Sequence, residues 1–530
     1  MGSIESNSLS YALPGGRVLF KDVNFKVGDG HHVALVGING IGKSTLFRLI
    51  AGDIEANSGH VRVDGRLGVM RQFADRDPKT TVRRFLLSYM TDAVQRAAGE
   101  LADAECAVEQ NASPEANLRY ANALNRWGEV GGYDAEVLWE QCTTAAFGRS
   151  IEEVGHRPVA TLSGGEQKRL ALEALFRSDA DVLLLDEPDN FLDIPGKRWL
   201  EEKMNASLRT ILYVSHDRAL LANTSSRVVT LEAGGAWVHP ESYLTYEAAR
   251  RARLGRIEEE RKQFRNEKER LNTILKEYKR KSAYNEKFAT KANSMEKRIE
   301  RFERDMAPRE RAKEQKIKMD LGGGRTGKIV FKAKDFSIPG LIDGLTTEVH
   351  YGERIGVVGP NGAGKSHLLR LLGGEDIAHS GEWKLGARVD PGLFSQTNDR
   401  SDLESTPLVD IIRSEGLDLT RAMSGLKRYE LHPEAQNRFE SLSGGQQARF
   451  QLLMMELRSP TMLLLDEPTD NLDIDSAEAL ERGLDAYRGA VIAVTHDRWF
   501  MRLMDRFLVF HRDGSVTEEI ESPYGVMVDG

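Results

Sequence analysis

The sequence predicts an α/β chain in which two copies of one parallel-sheet domain are joined by a charged antiparallel helical hairpin. Three observations carry this prediction. Short apolar runs end repeatedly at glycine-rich or acidic turns. One set of motifs occurs twice in the same order, and a basic stretch with an apolar seam lies between the copies.

At 530 residues the chain exceeds one ordinary domain. Its 40% hydrophobic content can build a core, while 29% charged residues and a mean hydropathy of −0.43 fit a soluble protein. No apolar run approaches the roughly 20 residues that span a bilayer. The start, MGSIESNSLSYALPGG, lacks the basic and apolar regions of a secretory leader, so a cytoplasmic location is expected. Cys106 and Cys142 alone exclude a disulfide scaffold, Cys-based zinc modules and iron–sulfur clusters on four Cys. The net charge of −8, from 73 Lys+Arg and 81 Asp+Glu, argues on average against a nucleic-acid partner.

Apolar runs at 33–36 and 355–358 end at glycine-rich turns, and those at 182–185 and 462–465 end at Asp-Glu. Runs at 211–214 and 491–494 stop just before Ser/Thr-His-Asp. Buried parallel strands read as such continuous runs, and ligands collect at their carboxyl ends. Gly37-Ile38-Asn39-Gly40-Ile41-Gly42-Lys43-Ser44 recurs 322 residues later as Gly359-Pro360-Asn361-Gly362-Ala363-Gly364-Lys365-Ser366. Gln72 and Gln396 recur at 324. The offset then falls to 280 for Leu162-Ser163-Gly164-Gly165 and Leu442-Ser443-Gly444-Gly445, for Asp186-Glu187-Pro188 and Asp466-Glu467-Pro468, and for His216 and His496. The first copy therefore holds 42–44 extra residues between its Gln and its Ser-Gly-Gly element. These lie within 73–160, read as helical around a break at Ser113-Pro114, and carry seven acids and three arginines between Asp92 and Glu129.

In each Gly-x-x-x-x-Gly-Lys-Ser turn, backbone N–H groups and a helix N-terminus face an anion. Lys43 and Lys365 are candidates for the β and γ phosphates of a nucleotide, and Ser44 and Ser366 for Mg2+. Asp186 and Asp466 are placed to position magnesium water, Glu187 and Glu467 to orient or deprotonate the attacking water, and His216 and His496 to sense the γ-phosphate. Gln72 and Gln396 could reach the metal shell and a partner surface. The Ser-Gly-Gly elements form a second anion-seeking helix start in each copy, which makes sense if each completes a site on the opposite domain.

Residues 250–320 hold 24 Lys+Arg against 14 Asp+Glu, a surplus of ten positive charges; the rest of the chain must then carry −18. Leu254, Ile257, Phe264, Leu271, Leu275 and Tyr278, then Met295, Ile299, Phe302 and Met306, form two narrow seams at helical spacing. The turn between them is expected within 279–293. Lys276, Lys279, Arg280, Lys281, Lys287 and Lys291 gather there, interleaved with Tyr284 and Phe288, as phosphate contacts and stacking surfaces for RNA. A charged spacer between the two domains is the bland alternative.

Together these motifs resemble ATP-binding cassette ATPase domains, over most of both halves. The resemblance implies two P-loop cassettes packed head to tail around two ATPs with Mg2+. The phosphate loops Gly37, Asn39, Gly40, Gly42, Lys43, Ser44 and Thr45 and Gly359, Asn361, Gly362, Gly364, Lys365 and Ser366 would each face the other cassette's signature, Ser443, Gly444 and Gly445 or Ser163, Gly164 and Gly165. Gln72, Asp186, Gln396 and Asp466 would complete the metal shells, and Tyr11 and Phe336 resemble the aromatic that stacks on adenine. His367 stands where the first copy keeps Thr45, and Asp189-Asn190-Phe191-Leu192-Asp193 departs from the usual Thr-Asn-His-Leu-Asp; both Glu187 and Glu467 are kept, so two hydrolysing sites are expected, with their equivalence left open.

Tandem cassettes joined by such a hairpin resemble the ABC-F family, as do the run SMEKRIERFERD in the second linker helix and the pair Tyr243 and Tyr246. The domains implied are 1–245 with a helical insertion at about 80–147, a linker at 246–322, and 323–530. The insertion resembles the family's arm in position; a ribosomal-protein contact and a helical elaboration without a partner both stay open. The resemblance implies a monomer with an intramolecular cassette pair that binds the ribosomal E site in the ATP state. Its linker would reach P-site tRNA and the peptidyl-transferase rRNA, with release on hydrolysis, either to regulate translation or to protect ribosomes from antibiotics. The competing reading is a soluble ATPase subunit that energises a separate membrane transporter, for which the basic hairpin has no obvious use.

Overall fold

The computed structural model describes residues 2–70, 79–111, 113–282, 284, 286–307, 317–395, 405–416 and 418–524. Each half is built on a six-stranded sheet of identical order. In the first half the strands run Leu67–Met70, Val182–Asp186, Thr210–Val214, His32–Val36, Arg227–Glu232 and Gly235–His239. In the second they run Pro391–Phe394, Met462–Asp466, Ala490–Val494, Arg354–Val358, Arg506–Phe510 and Val516–Glu519. The first five of each are parallel and the last is antiparallel. The central strands are apolar throughout because helices cover both faces, and their buried residues feed two clusters in each half.

A three-stranded antiparallel sheet flanks each large one: Val18–Val27, Ser3–Ala12 and Ser58–Asp64, and its counterpart Ile342–His350, Ile329–Ile338 and Ser380–Leu385. The register here corrects one expectation. Ser8 and Asp335 both adopt a left-handed φ, 46° and 47°, and the residues after them, Leu9 and Phe336, face Val23 and Leu345. Phe336 is therefore the counterpart of Leu9, fully buried in the core, and shows no face to a base. The position matching Tyr11, which is half-buried and faces Phe20, is Ile338, facing Ile342.

Three long helices, Asp92–Gln110, Pro114–Glu129 and Gly132–Phe147, follow Val82–Leu87 in the first half; among the described residues, Leu419–Arg428 is the α-helix that follows the equivalent Leu408–Ser414 before the signature in the second. Ser113 caps Pro114–Glu129 by accepting the Ala116 N–H, with Pro114 in the first turn, so the Ser-Pro break is a helix start. Trp127 and Trp139 pack at 6.2 Å and, with Cys142, join the core under the Gly164–Arg177 helix. The added helices thus extend the first half's own helical layer.

Between the halves, Tyr243–Ser282 and Glu286–Met306 pair as an antiparallel hairpin, confirming the expected linker architecture. Phe264 stacks on Phe302 at 4.9 Å, Lys268 pairs with Glu303, and Ile257, Leu271, Ala292 and Ile299 are buried along the seam. Met306 departs from the predicted seam and is exposed. The first helix has 40 residues and is about 60 Å long, so the turn stands well clear of its base. Among the described residues no helix is long and apolar enough to cross a membrane.

Candidate functional sites

Both glycine-rich turns follow the central strand and open a helix, Lys43–Ala51 and Lys365–Leu372. Gly42 and Gly364 cap these helices with φ of 107° and 90°, and a Cβ there would strike Leu19 and Phe20 or Leu341. Lys43 Nζ donates to the Gly37 carbonyl at 2.7 Å and to Asn39 Oδ1 at 3.4 Å. Lys365 Nζ donates to the Gly359 and Pro360 carbonyls, both at 2.9 Å. Burial lowers both lysine pKa values, partly opposed by the facing carboxylates.

Asp186 and Asp466 end their strands buried, with Oδ1 lacking a hydrogen-bond partner among the described residues. Burial raises both pKa values, and the hydroxyls of Ser44 and Ser366 oppose the rise. A hydroxyl converging with an orphaned carboxylate oxygen suits a hard cation such as Mg2+. Glu187 and Glu467 follow with left-handed φ of 49° and 48°, their N–H groups bonded to the Val214 and Val494 carbonyls. Such backbone is costly for a non-glycine residue and turns the carboxylate off the strand line.

The environments of the two glutamates differ. Glu187 Oε2 accepts from Asn190 Nδ2 at 2.7 Å. Glu467 Oε2 accepts the His496 N–H at 3.0 Å, and Oε1 lies 3.4 Å from His496 Nε2, which also meets Asn361 Oδ1 at 3.2 Å. Both ring nitrogens of His216 are buried without a hydrogen-bond partner among the described residues. Burial, then Lys43 or Lys365, holds both histidines well below their usual pKa, hence neutral near pH 7. Burial, with Asp470 and Asp466, pushes Glu467 up to about 8; burial raises Glu187 as well.

The two halves meet head to tail at these residues. Ser163 and Ser443 cap the Gly164–Arg177 and Gly444–Arg458 helices in capping boxes with Glu166 and Gln446. A Cβ on Gly445 would come within 2.8 Å of Asn39 Nδ2, so bare backbone lets that signature approach the opposite loop; one on Gly165 would lie 3.8 Å from Asn361 Nδ2, in ordinary contact, and 2.8 Å from the Phe191 carbonyl of its own cassette. Asp473 Oδ2 accepts the Asn39 N–H at 3.2 Å, and Asn361 Nδ2 donates to the Phe191 carbonyl at 3.1 Å. Site one thus joins the 37–45 loop, Glu187 and His216 to Gly445 and Asp473. Site two joins the 359–366 loop, Glu467 and His496 to Ser163, Gly164 and Gly165, beside an interface cavity of about 270 Å3 that also reaches His216 of site one. Gln72 and Gln396 lie outside the described residues.

At the hairpin turn, Lys276, Lys279, Arg280, Lys281, Lys287 and Lys291 are exposed, and Tyr284 is 92% exposed. Phe288 is half-buried against Tyr278, with Lys281 and Lys291 over its ring at 5.7 and 5.2 Å. Lys279 and Lys281 are paired with Glu296 and Glu277. At the other end Tyr243 and Tyr246 stack at 5.4 Å inside the first half's core, and Tyr246 shares a hydrogen bond with Thr230 at 2.9 Å.

Sequence reasoning missed the charges that join the halves. Arg218 of the first binds Glu481 of the second, and the equivalent Arg498 binds Glu201 in return. Lys197 is buried between the halves, and Arg250 of the linker grips Asp475. Reading the motif helices residue by residue at the 280 offset was the available signal: Arg218 and Arg498, and Glu201 and Glu481, coincide, whereas Lys197 falls on Ala477.

Comparison with known proteins agrees with this geometry. The ABC transporter family model matches residues 20–190 and 342–470, more than half of the chain. An antibiotic resistance protein of Mycobacteroides abscessus is 46% identical, covering 98% of this chain and 99% of its own. The energy-dependent translational throttle protein EttA of Escherichia coli is 29% identical, covering 95% and 91%. The solved structure described as a model of ribosome-bound archaeal Pelota and ABCE1 aligns with a TM-score of 0.58 at 20% identity, covering 96% of this chain and 78% of that one; this likeness concerns the fold. Two nucleotide-binding domains facing head to tail across a helical hairpin, in a chain matched from end to end by such relatives, identify an ATP hydrolase that belongs to the ABC-F family of tandem ATP-binding cassette proteins.

Proposed function

We propose that this chain binds the ribosome at the E site when ATP closes its two cassettes, directs the hairpin toward P-site tRNA and the peptidyl-transferase rRNA, and leaves on hydrolysis. The observation that carries the reading is the hairpin's base. Arg253 binds Glu232 of the first cassette and Arg250 binds Asp475 of the second, beside the Asp473 contact to Asn39, while the far end is basic and exposed. A change at site one therefore has a path into a long lever whose tip suits RNA. Relatives named for translational throttling and for antibiotic resistance support a cytoplasmic, ribosomal role.

In each site Mg2+, held by Ser44 and Asp186 or by Ser366 and Asp466, would neutralise charge on the β and γ phosphates. Lys43 and Lys365 bind those phosphates, and Tyr11 packs beside the adenine of site one. Glu187 and Glu467 orient the attacking water and take its proton, a task that raised carboxyl pKa values favour near neutral pH. Neutral His216 and His496 would hydrogen-bond the γ-phosphate, and Gln72 and Gln396 would help to hold the metal. The signature helices of the opposite cassette close over the same phosphates, so hydrolysis requires the closed pair.

The test is sedimentation with ribosomes of the E187Q/E467Q variant, which binds ATP without turning it over. Co-sedimentation with ATP and not without it is expected; binding indifferent to nucleotide, or none, rejects the reading. The 46% identical relative favours the protective version of this role. Expression in a drug-sensitive bacterium then raises the inhibitory concentration of a ribosome-targeting antibiotic, and the E187Q/E467Q variant does not.

A further inference from the structure

The interface between the cassettes is nearly two-fold symmetric, and Lys197 breaks that symmetry. Arg218 with Glu481 and Asp497 mirrors Arg498 with Glu201 and Asp217. On the first cassette, however, the helix Ile194–Asn205 carries Lys197 where its counterpart carries Ala477, and Asp189 stands where the second cassette has Thr469. An acid–base pair in one half thus corresponds to a neutral pair in the other. Lys197 is 6% exposed, and its Nζ lies 2.9 Å from Asp217 Oδ2. The same nitrogen crosses the interface and donates to the His496 carbonyl at 3.2 Å.

That contact grips site two from the opposite side of its histidine. The His496 N–H is held by Glu467 of its own cassette, its ring meets Glu467 and Asn361, and its carbonyl is held by Lys197 of the other cassette. Site one has no equivalent: Ala477 cannot reach the His216 carbonyl, and the His216 ring has no hydrogen-bond partner among the described residues. The surrounding acids, Asp189, Asp217 and Asp470, favour the charged ammonium at a site where burial alone would discharge it.

We infer that Lys197 is a positioning residue for site two alone: it reaches across the closed interface to fix the His496 backbone, and so makes hydrolysis there depend on closure in a way that site one does not. The inference rests on the assignment of Glu467 and His496 to site two.

The experiment measures single-turnover ADP formation, from seconds to hours, in the full chain. The E187Q background reports site two and the E467Q background reports site one. If E467Q alone leaves hydrolysis unchanged, the site assignment fails, independently of Lys197. With the assignment intact, K197M lowers the rate constant about ten-fold in the E187Q background and less than about three-fold in the E467Q background, with half-saturation by ATP little moved. D189T/K197A, which copies the neutral pair of the second cassette and leaves no new unpaired acid at 189, gives the same selective loss and melts as the wild type does. Equal losses in the two backgrounds, a loss carried by ATP affinity, or full recovery in D189T/K197A would overturn the inference.

Discussion

Arg250, on the first turns of the linker helix, binds Asp475 of the second cassette through both terminal guanidinium nitrogens, at 2.8 and 3.1 Å. Asp475 lies two residues after Asp473, whose carboxylate meets Asn39 of the phosphate loop and caps the helix Ile474–Ala486. One short turn therefore touches both the nucleotide loop of site one and the base of the hairpin. On the other side of this helix, Tyr243, Tyr246 and Arg253 fix it to the first cassette. The base of the hairpin and the nucleotide loop of site one thus share one contact point on the second cassette.

This linkage predicts the behaviour of R250A. Losing a partly buried charged hydrogen-bond pair costs about 1–2 kcal/mol, roughly ten-fold in the equilibrium it stabilises. Spin labels on the hairpin and the second cassette should report a broadened distance distribution in the ATP-bound E187Q/E467Q background. The swap R250D/D475R should narrow it again. Unchanged distributions in R250A would show that the pair does not hold the hairpin.

The Phe264–Phe302 stack is the aromatic centre of the hairpin seam. F302A removes it at a cost of about 2–4 kcal/mol. Amide exchange in Glu286–Met306 should then quicken many-fold while intrinsic ATPase activity stays near wild type. A parallel collapse of ATPase activity would mean that the hairpin is part of the cassette fold and not an appended lever.

Glu467 carries a pH signature. Its folded-state pKa of about 8 exceeds the unfolded value, so between roughly pH 4.5 and 8 the folded protein binds more protons there and stability falls as pH rises. E467Q removes that penalty. Without nucleotide, its melting temperature should exceed wild type by a margin that grows from pH 5 to pH 8.5. A margin that shrinks over this range would contradict the burial of the ionisable carboxyl.

At the turn, Lys279 and Lys281 are already engaged by Glu296 and Glu277. Neutralising Lys276 and Arg280 is the cleaner probe. K276A/R280A should weaken ATP-dependent ribosome binding and reduce the slope of log affinity against log salt by about 0.7–0.9 for each RNA phosphate that the variant no longer neutralises. Intrinsic ATPase activity should stay within about two-fold. Equal loss of both would favour the charged-spacer reading.

What was legible in the sequence was local and repeated. Each strand end that leads to Lys43, Asp186 or His216 is announced by an apolar run and confirmed by its copy, and the hairpin by two seams at helical spacing. Phe336 does not take the expected place because irregularities on either side of it shift the strand register and turn its ring into the core. Charges that act at a distance were hidden. Lys197 reaches the carbonyl of His496 across 299 residues and Arg250 reaches Asp475 across 225, yet on their own helices both look like ordinary solvated basic residues. Burial at an interface between halves leaves no periodic trace in either half.

The most direct measurement places a photo-crosslinking amino acid at Tyr284, the most exposed aromatic of the turn, in the E187Q/E467Q chain. Irradiated with programmed ribosomes and ATP, it is predicted to capture P-site tRNA or large-subunit rRNA near the peptidyl-transferase centre, and to capture neither without nucleotide. Cross-links confined to protein, or RNA cross-links of equal yield with and without ATP, would contradict the account.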